Sequence, residues 1–491
     1  MKRTYVIALI VALSAVAAVG LGVAARWGDG DAEPRSEARP RAGEVLDPEG
    51  IEEEEEQRES TAERLEAFEQ AKATGLLERE RITGQAAEGW AGERLMNRGT
   101  DDWEPAIATD PSEPYVYLLS TRYGEPKPCK GNCPTPYIVI EISANGGRTW
   151  TDGEPLCACK GSGQFDPVIE VVPDTGDVYA LWMNGFNVVF QKSFDHGRTW
   201  TDPVPTYGNV AWNDKPVVAP SDDGQDVYVS WNGPTGGDPW VAQSHDAGET
   251  WTQRRLVDGR RYFFAMDADV TPDGTVIFSE SSFSYTGPAG AAEGEVRHHA
   301  FISRDDGRTW TNTVVDRVQL GEPCTSEGCY DDFYAGHDTV TADADGDLVY
   351  VYDGATVAGG PQRIWARWSS DVGVTWSDRV VVSSGDRQAA APAAEATGEG
   401  DVRLWYARRT ADGNRWNIWF RRSRDAGASW SAAVKISDAV SGAAYKNAEG
   451  FLEFYGDYGE IAVTSAGKTI GAWGEGFSWF GPGGVWFNRT T

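Results

Sequence analysis

From residue 103 onward the apolar positions come in short runs separated by turn chemistry. Asp166-Pro167-Val168-Ile169-Glu170-Val171-Val172 is followed, across Pro173-Asp174-Thr175-Gly176, by a second run from Asp177 to Trp182. Asp214-Lys215-Pro216-Val217-Val218-Ala219 leads to Asp226–Trp231 in the same way, Val340-Thr341-Ala342-Asp343 leads to Asp347–Tyr352, and Asp401–Tyr406 repeats the second half. Runs this short, with alternation in the second of each pair and Gly or Asp between them, predict strands and an all-β fold. Seven such units can be counted. The last unit offers Gly459–Val463, Lys468–Trp473 and Gly484–Phe487, and then the chain stops. Its fourth strand is expected from upstream, within Trp90–Asn97, which would join the two ends of the domain and protect their edges.

An eight-residue stretch punctuates these units. Ser303-Arg304-Asp305-Asp306-Gly307-Arg308-Thr309-Trp310 has close copies at Ser193–Trp200, Ser244–Trp251, Ser369–Trp376 and Ser423–Trp430, and a sixth at Ser143–Trp150 with Asn145 in place of Asp. The copies start 50, 51, 59, 66 and 54 residues apart. A fixed element at this interval signals a repeat architecture, and the range suits propeller blades. The Asp, or Asn145, can accept bonds from the backbone that follows it, the Gly can take positive φ, and the Trp can anchor the turn on a neighbouring sheet. The expectation is a seven-bladed β-propeller of four-stranded blades, with six blades as the alternative because the units near Gln388 and Asp457 are the least regular.

These octapeptides resemble the Asp-box, or BNR repeat, of sialidase-type β-propellers, and the likeness runs from Trp103 to the C-terminus. In that family the boxes lie at the outer turns of the blades, away from the axial face that binds substrate, and sialidases proper have six blades. The resemblance implies a glycoside hydrolase acting on extracellular glycans, exo-α-sialidase-like, or else a non-catalytic propeller that binds a glycan or a cell-surface protein as a monomer. Sialidase chemistry asks for several Arg on a substrate carboxylate, a Tyr nucleophile beside a Glu, and an Asp acid/base. Tyr455-Gly456-Asp457-Tyr458-Gly459-Glu460 matches the second and third demands, with Tyr458 (or Tyr455), Glu460 and Asp457 in those roles, and Arg297, Arg408 and Arg409 are candidates for the clamp. The sequence departs from the family at one point. The Arg-Ile-Pro motif of active sialidases is missing, and Trp103-Glu104-Pro105-Ala106-Ile107 stands there, with a negative charge where a sialic acid needs a positive one.

Innermost strands begin near one mouth of a propeller's channel. An acidic residue stands at that place in six units, Glu104, Asp166, Asp214, Asp267, Asp338 and Asp457, with Ala391 in the remaining one. Such a ring can hold a cation such as Ca²⁺ or supply an acid/base pair. The plainer reading is that each carboxylate caps the loop that starts its strand. No other cofactor is expected. His298 and His299 are neighbours on a strand and point to opposite faces, so a paired His site is disfavoured. Neither a Gly-rich phosphate loop nor a Ser nucleophile elbow occurs.

Composition narrows the setting. The chain has 491 residues with 21 Trp, and a formal net charge of −31, which argues against nucleic acid and anionic surfaces as partners. Met1-Lys2-Arg3-Thr4 followed by the apolar run Tyr5–Ala25 reads as an export signal or membrane anchor within residues 1–26, the only expected contact with a membrane. Residues 27–50 read as a disordered linker and 51–83 as an acidic helical segment, solvated or loosely packed, with Leu65, Phe68, Leu76 and Leu77 as a sparse apolar face. The propeller is expected over 84–491. Six cysteines in an exported chain favour disulfides. Cys324–Cys329 is expected to close one small loop, and Cys129, Cys133, Cys157 and Cys159 to bridge the hairpin around the first unit's third strand, in an order the sequence leaves open. A four-Cys zinc site is the alternative for that last group.

Overall fold

The computed structural model describes residues 62, 64–76 and 83–491, apart from 125, 158–162, 211, 234–236, 260, 286–291, 322–335, 384, 386, 412–414, 444–458 and 477–481. Seven four-stranded antiparallel sheets make up the fold, and their inner strands surround a common axis. Blade 1 runs Asp101–Thr109, Val116–Tyr123, Tyr137–Ser143 and Glu154–Pro155 from axis to rim. The inner strands of blades 2 to 7 are Gln164–Val171, Asp214–Pro220, Tyr262–Val270, Asp338–Ala342, Ala389–Ala396 and Gly459–Val463. The six-bladed alternative is thereby set aside.

Blade 7 is the exception that the missing seventh octapeptide foreshadows. Its first three strands are Gly459–Val463, Thr469–Gly476 and Gly483–Arg489, and its fourth is Arg94–Leu95 from the other end of the domain. Arg94 pairs with Phe487 and Leu95 with Trp486. Ala91 N–H donates to Arg489 O at 2.9 Å and Met96 N–H to Val485 O at 2.9 Å. In the other six blades the turn between third and fourth strands carries an octapeptide. In blade 7 the chain termini of the domain meet there instead, so seven blades need only six boxes.

The boxes fold as their chemistry predicts. In the blade 5 copy Ser369 Oγ accepts Gly373 N–H at 2.7 Å, while Asp371 takes Thr375 N–H at 2.8 Å on one oxygen and the Thr375 hydroxyl at 2.7 Å on the other. Asn145 accepts Thr149 N–H at 2.9 Å and donates to the Thr149 hydroxyl at 2.7 Å, so the variant copy closes alike. The residue before the conserved Gly is also left-handed, and in five copies it is not glycine: His196, Ala247, Asp306, Val372 and Ala426. Each box leans on the preceding blade. A Cβ on Gly248 would meet the Phe190 ring, and Trp251 packs edge-on to the same ring at 5.4 Å.

The second strands are buried along almost their whole length, Val116–Tyr123 and Leu348–Gly354 without exception, where the sequence suggested alternation. Each blade is covered on both faces by its neighbours, so both sets of side chains face apolar surroundings. The apolar clusters follow these junctions. One joins Leu181 and Phe190 of blade 2 to Val229 and Trp231 of blade 3, another joins Trp405 and Ile418 of blade 6 to Ile461 and Trp473 of blade 7.

The segment before the propeller is helical over 64–73. It packs on the propeller through the sparse apolar face, and most of its other residues stay exposed or half-buried. Phe68 and Ala71 are buried, and Phe68 lies against Gly124, where a Cβ would come within 3.2 Å of its ring. The export segment and linker fall outside the described residues, and no described helix is long and apolar enough to cross a membrane. Cys129 is disulfide-bonded to Cys133 within the loop before the third strand, so that bridge does not cross the hairpin and those thiols are not zinc ligands. Cys157 is also disulfide-bonded. Cys159, Cys324 and Cys329 lie outside the described residues.

Candidate functional site

Five of the inner strands share one irregularity near their start. Their pairing with the second strand slips between Trp103 and Ala106, Phe165 and Val168, Asp214 and Val217, Ala265 and Asp267, and Ala390 and Pro392. In four of them the bulge residue is left-handed without being glycine: Glu104 at φ 52°, Asp166 at 49°, Lys215 at 49° and Ala391 at 48°. Such residues cost free energy that the surrounding fold must offset, and they gather where a protein aims particular groups. The ring of equivalent positions is therefore Glu104, Asp166, Lys215 and Ala391. In blade 3 the position belongs to Lys215, and the expected Asp214 precedes it, accepting a bond from Asn232 Nδ2 at 3.1 Å. Burial raises the Asp214 pKa, while the Lys215 charge opposes the rise.

Four of the axial carboxylates tie one blade to the next. The inner edge of each innermost strand faces the axis with unpaired N–H groups, and these need acceptors. Glu104 Oε2 takes Asp166 N–H at 3.1 Å, Asp267 Oδ2 takes Val340 N–H at 3.2 Å, Asp269 Oδ2 takes Ala342 N–H at 2.7 Å, and Glu460 Oε2 takes Ile107 N–H at 2.6 Å across the blade 7 to blade 1 junction. Hydroxyls serve equally well, since Thr341 Oγ1 accepts Ala396 N–H at 2.9 Å. These bonds cross to the neighbouring blade, where the sequence suggested that each carboxylate caps the loop that starts its own strand.

The channel has a volume of about 430 Å³ and is walled by all seven inner strands. Glu170 and Glu395, each four residues beyond a bulge residue, also line it. Burial raises the pKa of Glu170, Asp267, Asp269, Glu395 and Glu460, reinforced by repulsion from one another and, for Asp269, from Asp222. Asp269 reaches about 6, Asp267 about 7 and Glu460 about 8, while Glu170 and Glu395 stand well above the usual range. Near neutral pH the channel is thus a partly protonated carboxyl cluster.

The residues assigned to sialidase chemistry distribute as follows. Asp457 and Tyr458, with Tyr455, lie outside the described residues. Glu460 is in the channel, on Ile107 N–H. Arg297, on the third strand of blade 4, pairs with Glu295 at 2.8 Å. Arg408 and Arg409 end the second strand of blade 6, the Arg408 guanidinium 3.7 Å from the centre of the Trp419 ring. The candidate clamp is therefore divided between two blades. Asp338 is buried and bonded to His298 Nδ1 at 2.7 Å, and His299 turns the other way, to Ser282 at 2.8 Å and Asn312 at 2.9 Å. The opposite-face expectation for the two His holds. Glu170 and Glu395 were missed as channel-lining groups, and Lys215 as a ring position. For the two glutamates a spacing of four from Asp166 and Ala391 was the available signal. Among the described residues no group of three or more His, Cys, Asp or Glu side chains is arranged to hold a metal ion.

Comparison with known proteins came out as follows. The BNR repeat-like domain family matches residues 207–467. No curated protein matches the chain. Among solved structures, a protein of unknown function from Dyadobacter fermentans DSM 18053 is 14% identical, with 82% of this chain and 98% of that one covered and a TM-score of 0.46. A PL25 ulvan lyase bound to -[GlcA(1-4)Rha3S]- is 12% identical over 82% and 95% of the two chains, with a TM-score of 0.49. A leech intramolecular trans-sialidase is 12% identical over 84% and 70%, with a TM-score of 0.45.

Proposed function

This chain belongs to the BNR repeat-like domain family, and from that premise we propose an exported glycan-acting propeller, of glycoside hydrolase type, that works at the mouth where the inner strands begin. The observation that carries the reading is the ring of left-handed bulges, which places Glu104, Asp166 and Lys215 at equivalent positions near the start of neighbouring inner strands. A pair of carboxyl groups is what a glycosidic bond needs as acid/base partners. The acidic character of the ring favours a neutral or amino sugar over a sialoside. The disulfide between Cys129 and Cys133 supports an oxidising, extracytoplasmic setting, secreted or anchored by the N-terminal segment.

The second reading, a non-catalytic glycan- or protein-binding propeller, is favoured by the backbone bond that Glu104 already makes. Turnover of a panel of fluorogenic neutral, amino and sialic glycosides by the full chain separates the two. The hydrolase reading expects turnover that falls by about 100-fold or more in Asp166→Asn. Glycan retention without turnover by a folded protein moves the assignment to binding, and neither retention nor turnover rejects both.

A further inference from the structure

Two arginines near the start of blade 1 are held in opposite ways. Arg122 is locked: its Nε and Nη2 donate to the two oxygens of Asp102 at 2.7 and 2.9 Å. Arg64 comes from the N-terminal helix and meets the neighbouring acid, Asp101, at 3.9 Å, beyond hydrogen-bond range. Its guanidinium lies on the faces of Trp103 and Tyr123, 3.7 Å from the centre of the latter ring. Nε and Nη2 of Arg64 have no hydrogen-bond partner, and neither has Asp101 Oδ2, although all three atoms are buried. Asp101 is fixed by its other oxygen, which accepts Gly483 N–H at 2.8 Å from blade 7 and the Trp103 indole N–H.

Two aromatic faces and a carboxylate with a free oxygen form a receptor for a cation. The present occupant fills it without completing its hydrogen bonds. The anchor that delivers Arg64 is slight: a helix of about three turns, marginal alone in water, held by Leu65, Phe68, Ala71 and Leu76. The pocket is close to the mouth, since Asp101 and Trp103 open the inner strand of blade 1 and Trp103 adjoins the bulge residue Glu104. A formal charge of −31 draws cations to the whole surface. We propose that Trp103, Tyr123 and Asp101 are a cation-binding subsite at the rim of the channel, and that the N-terminal helix is a strap whose Arg64 occupies it in competition with an external guanidinium or ammonium ligand. Such a ligand releases the strap; in its absence the strap covers the rim. The inference does not depend on whether the mouth is catalytic.

The test uses the full chain and N-acetylarginine amide as probe, with N-acetylglutamine amide at matched ionic strength as control. Hydrogen exchange of the amides over 64–73 accelerates with rising probe and not with control. By calorimetry Arg64→Ala binds the probe about tenfold more tightly than the unaltered chain, and adding Trp103→Leu removes that binding. Helix protection unaffected by the probe overturns the proposal, as does equal affinity in a folded Arg64→Ala. If Arg64→Ala fails to fold, the exchange result on the unaltered chain decides alone.

Discussion

Val372 has the least natural backbone in the octapeptides. It is β-branched and sits at φ 54°, where an L-residue with a Cβ is crowded against its own carbonyl. The matching position holds glycine in the first copy, Gly146. Val372→Asn is expected to raise stability by roughly 0.5–1 kcal/mol, because Asn tolerates this region and little apolar contact is lost from a half-buried side chain. Denaturant unfolding of the two proteins checks it, and a decrease would mean that Val372 packing outweighs its strain. Residue-level function was the least legible part of the sequence. The eye falls on Asp214, but a bulge shifts the ring position by one residue to Lys215, and bulges of this kind leave no periodic trace. Arg64 was hidden for another reason: among the charged residues of the helix nothing distinguishes the one Arg that turns inward.

Among elements, the strand Arg94–Leu95 has the largest consequence for its size. It is short, and the bonds of Asn97, two residues past its end, secure it. Asn97 Nδ2 donates to Glu141 at 2.5 Å and to Asp102 at 3.0 Å, and Arg122 Nη2 lies 3.6 Å from Glu141. Two buried acids, a buried Arg and the half-buried Asn97 fasten the closing strand to blade 1. Arg122→Met is expected to cost about 3–5 kcal/mol in chemical unfolding, since it leaves Asp102 and Glu141 buried without their cation. A cost below about 1 kcal/mol would show that the carboxyls simply take up protons. The sequence did reveal this closure, because the last unit lacked a strand and Trp90–Asn97 offered one. It also revealed the boxes, which work through local bonds at fixed spacing. The docking of the helix was not visible, since its anchor point is Gly124, a residue without a side chain.

For the whole molecule, pH should act through the channel. Carboxyls whose pKa rises on folding hold protons that the unfolded chain releases near its ordinary 3.8 to 4.5. Their contribution is complete below that range and is lost as pH climbs through about 6, 7 and 8 for Asp269, Asp267 and Glu460. The box aspartates act in the opposite sense. Hydrogen bonds from Thr250 and Thr375 lower Asp246 and Asp371 to about 2, so their contribution is present above 3.8 and is lost as pH falls from 3.8 through about 2. The melting temperature is therefore expected to peak near pH 4 to 5 and to fall between pH 5 and 8, as read by calorimetry. Glu170→Gln with Glu395→Gln should flatten that fall by removing two like charges from the axis. A melting temperature that rises across the same interval would contradict the picture.

The pairing of residue 94 with residue 487 also bears on how the protein is made. The first-synthesised strand of the propeller has no sheet to join until the last one emerges, so the ring stays open through nearly all of synthesis, and its final step depends on contacts of the greatest possible separation. The same geometry frees the chain from its own starting point. If the two ends were linked and a new break made at another outer turn, the fold would lose one box and gain a continuous seventh blade. Such a rearranged chain should reach the same structure by a different order of assembly.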